Sequence, residues 1–333
     1  MSRMWLKNGR AVLDNGRAVL CEECPCGCRY TYYVDHSLAT SGDGHSWETA
    51  FNSVNDVFNS AEIYNYRNLG CKITVYIKGA INYTLSGSYF AYYNATYPDN
   101  YMVFDYNVGN GDLVYVSMTT GIYVGSICVE FRHFSFHYTQ TGNVYTYTLT
   151  RARFINCTFV HTHGAGSTGS QTLLFQGRVL FFNNVNISVN RTILITGSSH
   201  GFYLFRETSN SQFYNVVVNC TCSGSENNPI FSFEIMVFAG CTNIIVENVS
   251  GTLSVNAYTG IIRGWGLHSV SNSSINNFNI TENFVSSRED CSIYFCRFYQ
   301  SNNNIFYNCT QSCAARGIYV DSNWCANNCQ SLS

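Results

Sequence analysis

Four cysteines near the start of the chain stand close enough together to share one chemical role. They lie in the segment CEECPCGC, at Cys21, Cys24, Cys26 and Cys28. Four thiolates can hold a structural zinc ion, and the same thiols can pair as disulfides in an oxidising compartment. The short spacing would strain a single tetrahedral zinc site, so the sequence favours disulfides and keeps zinc as the alternative.

A pair of histidines forms a second candidate metal site. His161 and His163 are separated by one threonine. Side chains two residues apart on a strand point to the same face, and neutral imidazoles bind transition metals. The alternative, which the sequence favours, is that both rings are solvated or hydrogen-bonded in a loop.

Carboxylates decide whether the chain could cleave a polysaccharide, because a glycoside hydrolase needs two of them about 5 to 10 Å apart. The candidates are Glu130, Glu207, Glu226, Glu234, Glu247, Glu282, Glu289, Asp290 and Asp321. Measured against the repeated asparagine described below, Glu207, Glu234 and Glu247 occupy different positions. The adjacent pair Glu289 and Asp290 falls in a predicted loop. We therefore predict no catalytic residues, and a site assembled from distant loops is the open alternative.

Tyrosine is the residue type that could bind sugars, because it combines an apolar ring with a hydroxyl group. It is frequent between residues 83 and 147. The candidate glycan-binding side chains are Tyr92, Tyr93, Tyr138, Tyr145 and Tyr147. The alternatives are packing between subunits and ordinary strand core.

Composition and charge restrict the classes of partner. Charged residues make up 11% of the 333 residues and the formal net charge is −2, so we expect no nucleic-acid binding and no binding to anionic lipid. No apolar run approaches the roughly 20 residues that cross a bilayer, so we expect no membrane insertion. The start of the chain also lacks the apolar core of a secretion signal. The 25 Tyr, 23 Phe and 3 Pro indicate a chain of strands and turns.

A recurring apolar pair followed by asparagine sets the predicted fold. It appears in FINCTFV from residue 154, FFNNVNI from 181, QFYNVVV from 212 and IFYNCTQ from 305. The asparagines, 28 to 33 residues apart, are Asn156, Asn184, Asn215, Asn248, Asn277 and Asn308. His133 occupies the equivalent place one repeat earlier. A second apolar stretch precedes each asparagine, so each unit holds at least two short strands.

Units of this length fit a parallel β-helix, because a propeller blade needs four antiparallel strands in roughly 40 to 50 residues. The coils of a β-helix stack at about 4.8 Å, with equivalent residues above one another. Asparagine amides can then hydrogen-bond along a column, and asparagine tolerates the left-handed backbone of a tight corner. We predict an all-β parallel β-helix with a structural asparagine ladder, and place Cys157 and Cys309 in the neighbouring packing column.

Residues 31–62, TYYVDHSLATSGDGHSWETAFNSVNDVFNSAE, differ from the coils. From Ser46 onward the apolar residues follow helical spacing, and Ser46 is the predicted N-cap. The first coil of a solenoid exposes strand edges and core. We therefore expect this helix to cap it.

This segment resembles the N-terminal segment of right-handed parallel β-helix proteins of the pectate-lyase-like superfamily. Those proteins share a Tyr-Val-Asp strand, a Gly-Asp-Gly loop and a Ser-Trp-x-x-Ala-Phe helix. The resemblance implies a right-handed coil, and the superfamily includes polysaccharide lyases and hydrolases, bacterial surface proteins, and phage tailspikes and fibres. His161 and His163 also resemble the His-x-His iron-binding pattern of some phage fibre tips. Zinc and iron are therefore the candidate metals.

We predict three segments. Residues 1–29 contain the sequence NGRAVL twice and the cysteine cluster, and Asn-Gly is a strong hairpin-turn signal. Residues 30–80 form the capping strand-helix-strand. Residues 81–333 form the β-helix, with a cysteine-rich C-terminal end.

These features lead us to expect a non-enzymatic, rod-like surface protein. It would be a phage or prophage tail fibre or tailspike-type virion component that binds a host surface polysaccharide. Residues 1–29 would attach it to other tail proteins, the family resemblance implies a homotrimer, and its location would be the virion surface. The alternatives are a polysaccharide lyase or glycoside hydrolase on the same fold, and a bacterial surface adhesin or extracellular filament subunit.

Overall fold

The computed structural model describes the chain in segments separated by gaps. The described residues are 3–4, 6–7, 10–11, 13–14, 17–18, 20–21, 28–68, 71–78, 83–85, 102–106, 114–118, 122–124, 129–140, 145–163, 171–195, 200–226, 232–258, 261–286, 292–297, 304–307, 309–313 and 330–332.

Six short strands form antiparallel pairs near the N-terminus. They are β1 (Arg3–Met4), β2 (Leu6–Lys7), β3 (Arg10–Ala11), β4 (Leu13–Asp14), β5 (Arg17–Ala18) and β6 (Leu20–Cys21). Strand β2 pairs with β3, β4 with β5, and β1 with β6. An Asn-Gly pair separates the strands of each inner hairpin, as a two-residue turn requires. Antiparallel strands thus flank both Asn-Gly pairs.

The other elements follow in chain order. They are β7 (Arg29–Asp35), α1 (Val54–Asn59), α2 (Ala61–Asn68), β8 (Lys72–Lys78), β9 (Tyr83–Leu85), β10 (Met102–Asp105), β11 (Val114–Met118), β12 (Ile122–Val124), β13 (Val129–Arg132), β14 (Phe134–Gln140), β15 (Tyr145–Thr150), β16 (Ala152–Ile155), β17 (Thr158–His163), β18 (Gln171–Arg178), β19 (Phe181–Ile195), β20 (His200–Ser209), β21 (Gln212–Glu226), β22 (Ser232–Ala239), β23 (Ile245–Tyr258), β24 (Ile261–His268), β25 (Ser274–Ser286), β26 (Ser292–Arg297), β27 (Ile305–Tyr307), β28 (Thr310–Cys313) and β29 (Gln330–Leu332).

Strands β7 to β29 wind into a parallel β-solenoid. One sheet follows the path β29-β27-β25-β23-β21-β19-β16-β13-β10-β8-β7, and the second has the order β12-β15-β18-β20-β22-β24-β26. Neighbours in each sheet pair in parallel, and the chain alternates between the two sheets. The chain therefore passes through both sheets in each coil. The predicted all-β parallel β-helix is confirmed.

A corner divides the first sheet into a narrow face and a long face. At this corner Asn184, Asn215, Asn248 and Asn277 adopt the left-handed backbone, with φ between 51° and 56°. The narrow face lies before the corner and consists of residues 180–183, 211–214, 244–247, 273–276 and 304–307. In the earlier coils it continues through β16, β13, β10 and β8. The long face follows the corner.

A column of phenylalanines fills the interior behind the narrow face. Phe104, Phe131, Phe154, Phe182 and Phe213 occupy equivalent positions on successive coils, and each is at most 1% exposed. Neighbouring ring centroids lie 5.1 to 5.6 Å apart. Burying each ring contributes about 1.5 to 3 kcal/mol, so this column is a main source of stability for the coils.

Two short helices cap the first coil, but they begin later than predicted. Helix α1 starts at Val54 with Ser53 as its N-cap, so the prediction of Ser46 as the N-cap is wrong. The Ser46 hydroxyl instead accepts a hydrogen bond from the Thr49 N–H at 3.2 Å. The chain before α1 folds back on β7, where the Phe51 N–H donates to the Tyr33 carbonyl. Backbone pairing there replaces the predicted helical turns.

In the part of the chain that the structure describes, one disulfide joins the starts of β7 and β8, which are the first two strands of the solenoid. Cys28 precedes β7, Cys71 precedes β8, and their sulfurs are bonded. Cys28 therefore forms a disulfide, as the sequence favours, and the alternative that it is a zinc ligand does not hold. Among the described residues, no helix has the length and apolarity needed to cross a membrane.

Candidate functional site

The predicted asparagine ladder forms one edge of the narrow face. The Nδ2 of Asn184 donates to the Oδ1 of Asn156 at 2.7 Å, and Asn248 donates likewise to Asn215 at 3.1 Å. Asn277 donates to Asn248 at 2.8 Å. These three bonds lie at the surface, and each donor points towards the preceding coil. Asn308, the last predicted member, lies outside the described residues.

A second column of asparagines forms the opposite edge of the narrow face. Asn210, Asn243 and Asn272 also adopt the left-handed backbone, and Asn243 donates to Asn210 at 2.7 Å. Asn210 and Asn243 are 33 residues apart, and Asn243 and Asn272 are 29 apart. The first ladder has the same two gaps between Asn215 and Asn277. That shared spacing is the sequence signal for the second column, and no residue of this column was among the predicted sites.

Between the two asparagine columns, the narrow face exposes apolar side chains. Ile245 is 40% exposed, and Ile305 and Tyr307 are each 48% exposed. They are three of the six large apolar side chains exposed among the described residues. Polar neighbours such as Gln212 and Ser274 occupy the same outward column as the isoleucines. Exposed apolar side chains beside polar neighbours can contribute to a binding surface.

A cleft of about 550 Å³ follows the second asparagine column. Its lining includes Asn210, Asn243, Ile245 and Ile305. The backbone beneath it is held by buried side chains, because the Ile244 N–H donates to the Ser273 hydroxyl at 3.1 Å. This bond holds the strand that carries Ile245 to the next coil.

In the interior beneath the cleft, other buried polar side chains also hydrogen-bond to the backbone. The Ser273 N–H donates to the Oδ1 of Asn304 at 3.1 Å, and the Nδ2 of Asn304 donates to the Val270 carbonyl at 2.6 Å. In an earlier coil, the Leu180 N–H donates to the Ser211 hydroxyl at 3.0 Å. These bonds satisfy backbone groups that burial would otherwise leave unpaired.

In the coils nearer the N-terminus, the narrow face carries a network of paired charges where the later coils expose apolar side chains. Arg132 forms ion pairs with Glu130 and Asp105, and the Nε of Arg153 lies 3.0 Å from Glu130. Both carboxylates are almost fully buried. Two carboxylates and two guanidinium groups balance in charge. We therefore interpret this cluster as structural and not as an acid–base pair.

This network ends in the first asparagine column. The Nδ1 of His133 lies 2.9 Å from the Oδ1 of Asp105, and its Nε2 lies 3.2 Å from the Nδ2 of Asn156. An amide nitrogen can only donate, so Nε2 accepts and the ring proton sits on Nδ1. His133 is thus the first member of the ladder, in the place that the repeat predicts.

A second cleft, of about 250 Å³, lies on the other side of the corner that carries Asn210. Tyr203, Arg206, Glu207 and Glu234 line it. Arg206 lies over the Tyr203 ring at 5.0 Å and pairs with Glu207 at 3.0 Å. Burial, helped by the Glu234 carboxylate, raises the pKa of Tyr203, so its hydroxyl stays protonated and able to donate.

The backbone positions that carry the two carboxylates of this cleft are far apart along the strands. Glu234 is paired in register with Gly201, which lies six residues before Glu207 on the neighbouring strand. At about 3.3 Å per residue, the two positions are roughly 20 Å apart along the strands. A glycoside hydrolase needs carboxylates about 5 to 10 Å apart.

The predicted tyrosine site is not supported where its side chains are described. Tyr138 is 2% exposed, and its ring lies 4.8 Å from that of His161, so the prediction that it binds glycan is wrong. Strand β15 carries Tyr145 and Tyr147, whose side chains the structure does not describe. Tyr92 and Tyr93 lie outside the described residues.

The predicted metal ligands fall largely outside the part of the chain whose side chains the structure describes. His161 is 1% exposed and faces the interior, and His163 is described only as a residue of β17. Cys21 is described only as a residue of β6, and Cys24 and Cys26 lie outside the described residues. Among the residues that the structure describes, no group of three or more His, Cys, Asp or Glu is placed to hold a metal ion.

Cysteines in the coils act as packing residues. Cys157 is buried beside the first asparagine column, and Cys309 is partly buried in the equivalent place. Burial raises the pKa of Cys157 to about 12 and that of Cys241 to about 11. Both thiols are therefore protonated and weakly reactive at neutral pH.

Comparison of the chain with models of known protein families gives no match. Comparisons with curated proteins and with solved structures also give no match. The interpretation of function therefore depends on the geometry of the narrow face and of the solenoid that carries it.

Proposed function

We propose that this protein is a receptor-binding component of a phage or prophage tail, of the fibre or tailspike type, and that it binds a host surface glycan. The narrow face between the two asparagine columns is the proposed binding surface. The parallel β-solenoid fits structural and enzymatic β-helix proteins alike. The proposal therefore depends on the surface and not on the fold alone.

One observation carries the proposal: exposed apolar side chains lie between two regular columns of amides. Ile245, Ile305 and Tyr307 can pack against the C–H face of a sugar ring. The amides of Asn243 and Asn248 provide donors and acceptors for sugar hydroxyl groups. Glycan recognition needs both kinds of contact, and here both lie on one rigid surface.

The proposed location is the outside of a virion, with residues 1–29 attaching the chain to other tail proteins and three copies forming a trimer. The Cys28–Cys71 disulfide supports a location outside a reducing cytosol. Light scattering tests the trimer. A monomer at micromolar concentration would remove that part of the proposal and leave the binding surface intact.

The binding function is tested with purified bacterial surface polysaccharides immobilised on a sensor surface. We expect the full-length chain to bind at least one of them, and Ile245→Arg to weaken that binding about tenfold. Val217→Arg is the matched control, since Val217 is 36% exposed on the long face. Equal weakening by both variants, or binding to no polysaccharide, would contradict the proposed function.

The enzymatic alternative has its own readout. Each bound polysaccharide is incubated with the protein and assayed for new reducing ends and for unsaturated products. We expect neither. Either product would replace the binding function with a hydrolase or a lyase.

A further inference from the structure

We infer that the ligand of the narrow face is an uncharged linear glycan that lies along the solenoid axis, with about one sugar unit on each coil. This inference rests on the proposed function, because it specifies the ligand of the same surface. Charge, geometry and hydrogen-bonding capacity each support it.

The charge of the surface argues against an acidic ligand. From Phe181 to Tyr307, Glu247 is the one charged side chain among the described outward residues of the narrow face. Farther towards the N-terminus, Arg132 and Arg153 are paired with Glu130. Arg153 also lies over the Phe181 ring, at 4.5 Å, but Glu130 already pairs with it. A uronic acid, sulfate or phosphate group on the ligand would thus meet a cation only at the Phe181 end, where it is already paired, and Glu247 would repel the group.

The geometry of the two edges sets the direction of the ligand. Both asparagine columns run along the solenoid axis, and successive coils are about 4.8 Å apart, close to the length of one sugar unit in an extended chain. Across the face, Asn210 and Asn215 are five residues apart, or about 16 Å. A single glycan chain can lie in this width and meet a new set of side chains at each coil.

The amides keep hydrogen-bonding capacity beyond the ladder. Asn248 donates one bond to Asn215 and accepts one from Asn277. An amide group has two N–H donors and an oxygen with two lone pairs, so the ladder engages one of each. Adjacent hydroxyl groups on a sugar ring offer a donor and an acceptor that match the remaining capacity of Asn248.

The outward column between the edges supplies the apolar contacts. In register it runs Phe181, Gln212, Ile245, Ser274 and Ile305. These five residues belong to five successive strands, β19, β21, β23, β25 and β27. A glycan of about five units would therefore cover the whole column.

Two measurements test the inference on the full-length protein. First, binding is compared for neutral, amino-sugar and uronate polysaccharides, with a neutral glucan, chitosan and polygalacturonate as probes alongside the bacterial polymers. We expect retention of neutral polymers and none of polygalacturonate. Second, calorimetry measures the dissociation constants of oligosaccharides of two to seven sugar units, prepared from the neutral polymer that binds most tightly. We expect the dissociation constant to fall with length and to level off near five units.

A charge variant sharpens the first measurement. Ser274 is exposed between Ile245 and Ile305 in the outward column, so Ser274→Arg adds a cation at the centre of the face. We expect it to weaken the neutral polymer about tenfold and to create binding to polygalacturonate. Val217→Arg, on the long face, should do neither.

Each outcome bears on a different statement. Preference of the unsubstituted protein for polygalacturonate would overturn the neutral ligand and leave glycan binding standing. Affinity that does not change between two and seven units would overturn the axial direction. Binding to none of the polymers would instead overturn the proposed function itself.

Discussion

The side-chain amide of Asn248 lies between those of Asn215 and Asn277, and it bonds to both, at 3.1 and 2.8 Å. The three residues come from three successive coils and from positions 33 and 29 residues apart in the sequence. Neighbouring coils are thus joined through side chains as well as through the backbone of the sheet.

Asn248→Ala should destabilise the solenoid by about 2 to 3 kcal/mol. It removes two hydrogen bonds, and it places alanine in the left-handed backbone. Asn248→Gly keeps that backbone without strain and should lose about 1 to 2 kcal/mol. Urea denaturation followed by circular dichroism measures both. Asn219→Ala on the exposed long face is the control, and an equally large loss there would contradict a special role for the column.

Val179→Asn should stabilise the protein by about 1 kcal/mol. Val179 has φ of 57°, in the left-handed region that β-branched residues disfavour, and it precedes Asn210 in the second column. Asparagine tolerates this backbone and could bond to Asn210. Thermal unfolding measures the change. Val217→Asn is the control, and a gain of the same size there would show that the effect comes from surface polarity and not from backbone strain.

Asp35 should make the capping region sensitive to acid. Burial raises the pKa of Asp35, but hydrogen bonds from Ser37 and the nearby Lys78 ammonium group outweigh it, so the net pKa is lowered. A lowered folded pKa means that this stability is present above the unfolded pKa, near 3.9, and is lost as pH falls through the folded value. We expect Asp35→Asn to lower stability at pH 7 by about 1 to 3 kcal/mol. Below pH 3 the difference from the unsubstituted protein should shrink, and a constant difference across this range would contradict the assignment.

Reduction of the disulfide should destabilise the capped end. Cys28 and Cys71 are 43 residues apart, and a crosslink closing such a loop contributes about 4 kcal/mol through the entropy of the unfolded chain. We expect the double variant Cys28→Ser, Cys71→Ser to melt at lower temperature. The same reductant is also added to the double variant, so that any change in its melting temperature measures the effect of reductant on the other cysteines. Equal melting of the two proteins without reductant would argue against the crosslink.

Thiols in the coil interior should resist alkylation in the folded protein. Cys157 and Cys241 are buried, and their pKa values are raised to about 12 and about 11. Labelling with iodoacetamide at pH 8, read by peptide mass spectrometry, should modify Cys309 first because it is only partly buried. Denaturation in urea should make all three react alike. Early labelling of Cys157 in the folded protein would contradict its placement.

The coil repeat could be predicted from the sequence because solenoid stacking places equivalent residues in columns. Asn156, Asn184, Asn215, Asn248 and Asn277 recur at similar spacing, each two residues after a large apolar residue, so the pattern indicates both the coil and the corner. The second column was missed although its spacing is the same. The second column consists of Asn210, Asn243 and Asn272. These asparagines precede the strands of the narrow face and do not follow an apolar pair, so the repeat of an apolar pair and an asparagine does not include them.

The exposed part of the site could not be predicted from apolar pattern alone. Ile245 stands next to Ile244 in the sequence, and the two look alike as core residues. The corner at Asn243 decides that Ile244 faces inward and Ile245 outward, with 1% and 40% exposure. The helix start was missed for a related reason, because helical spacing after Ser46 does not reveal that the chain first pairs with β7.

In both asparagine columns, the amide N–H groups that bond within the column point towards the preceding coil, so their dipoles are aligned along the solenoid axis. Each amide carries a dipole, and dipoles aligned head to tail add, with the positive end where the N–H groups point. In the first column that end faces His133, whose ring proton lies towards the Asp105 carboxylate. An anion therefore terminates the positive end of the stack, much as an acidic residue favours the start of an α-helix. Asp105→Asn would leave this stack without its counter-charge, and its effect should extend through His133 to Asn156, two coils further along.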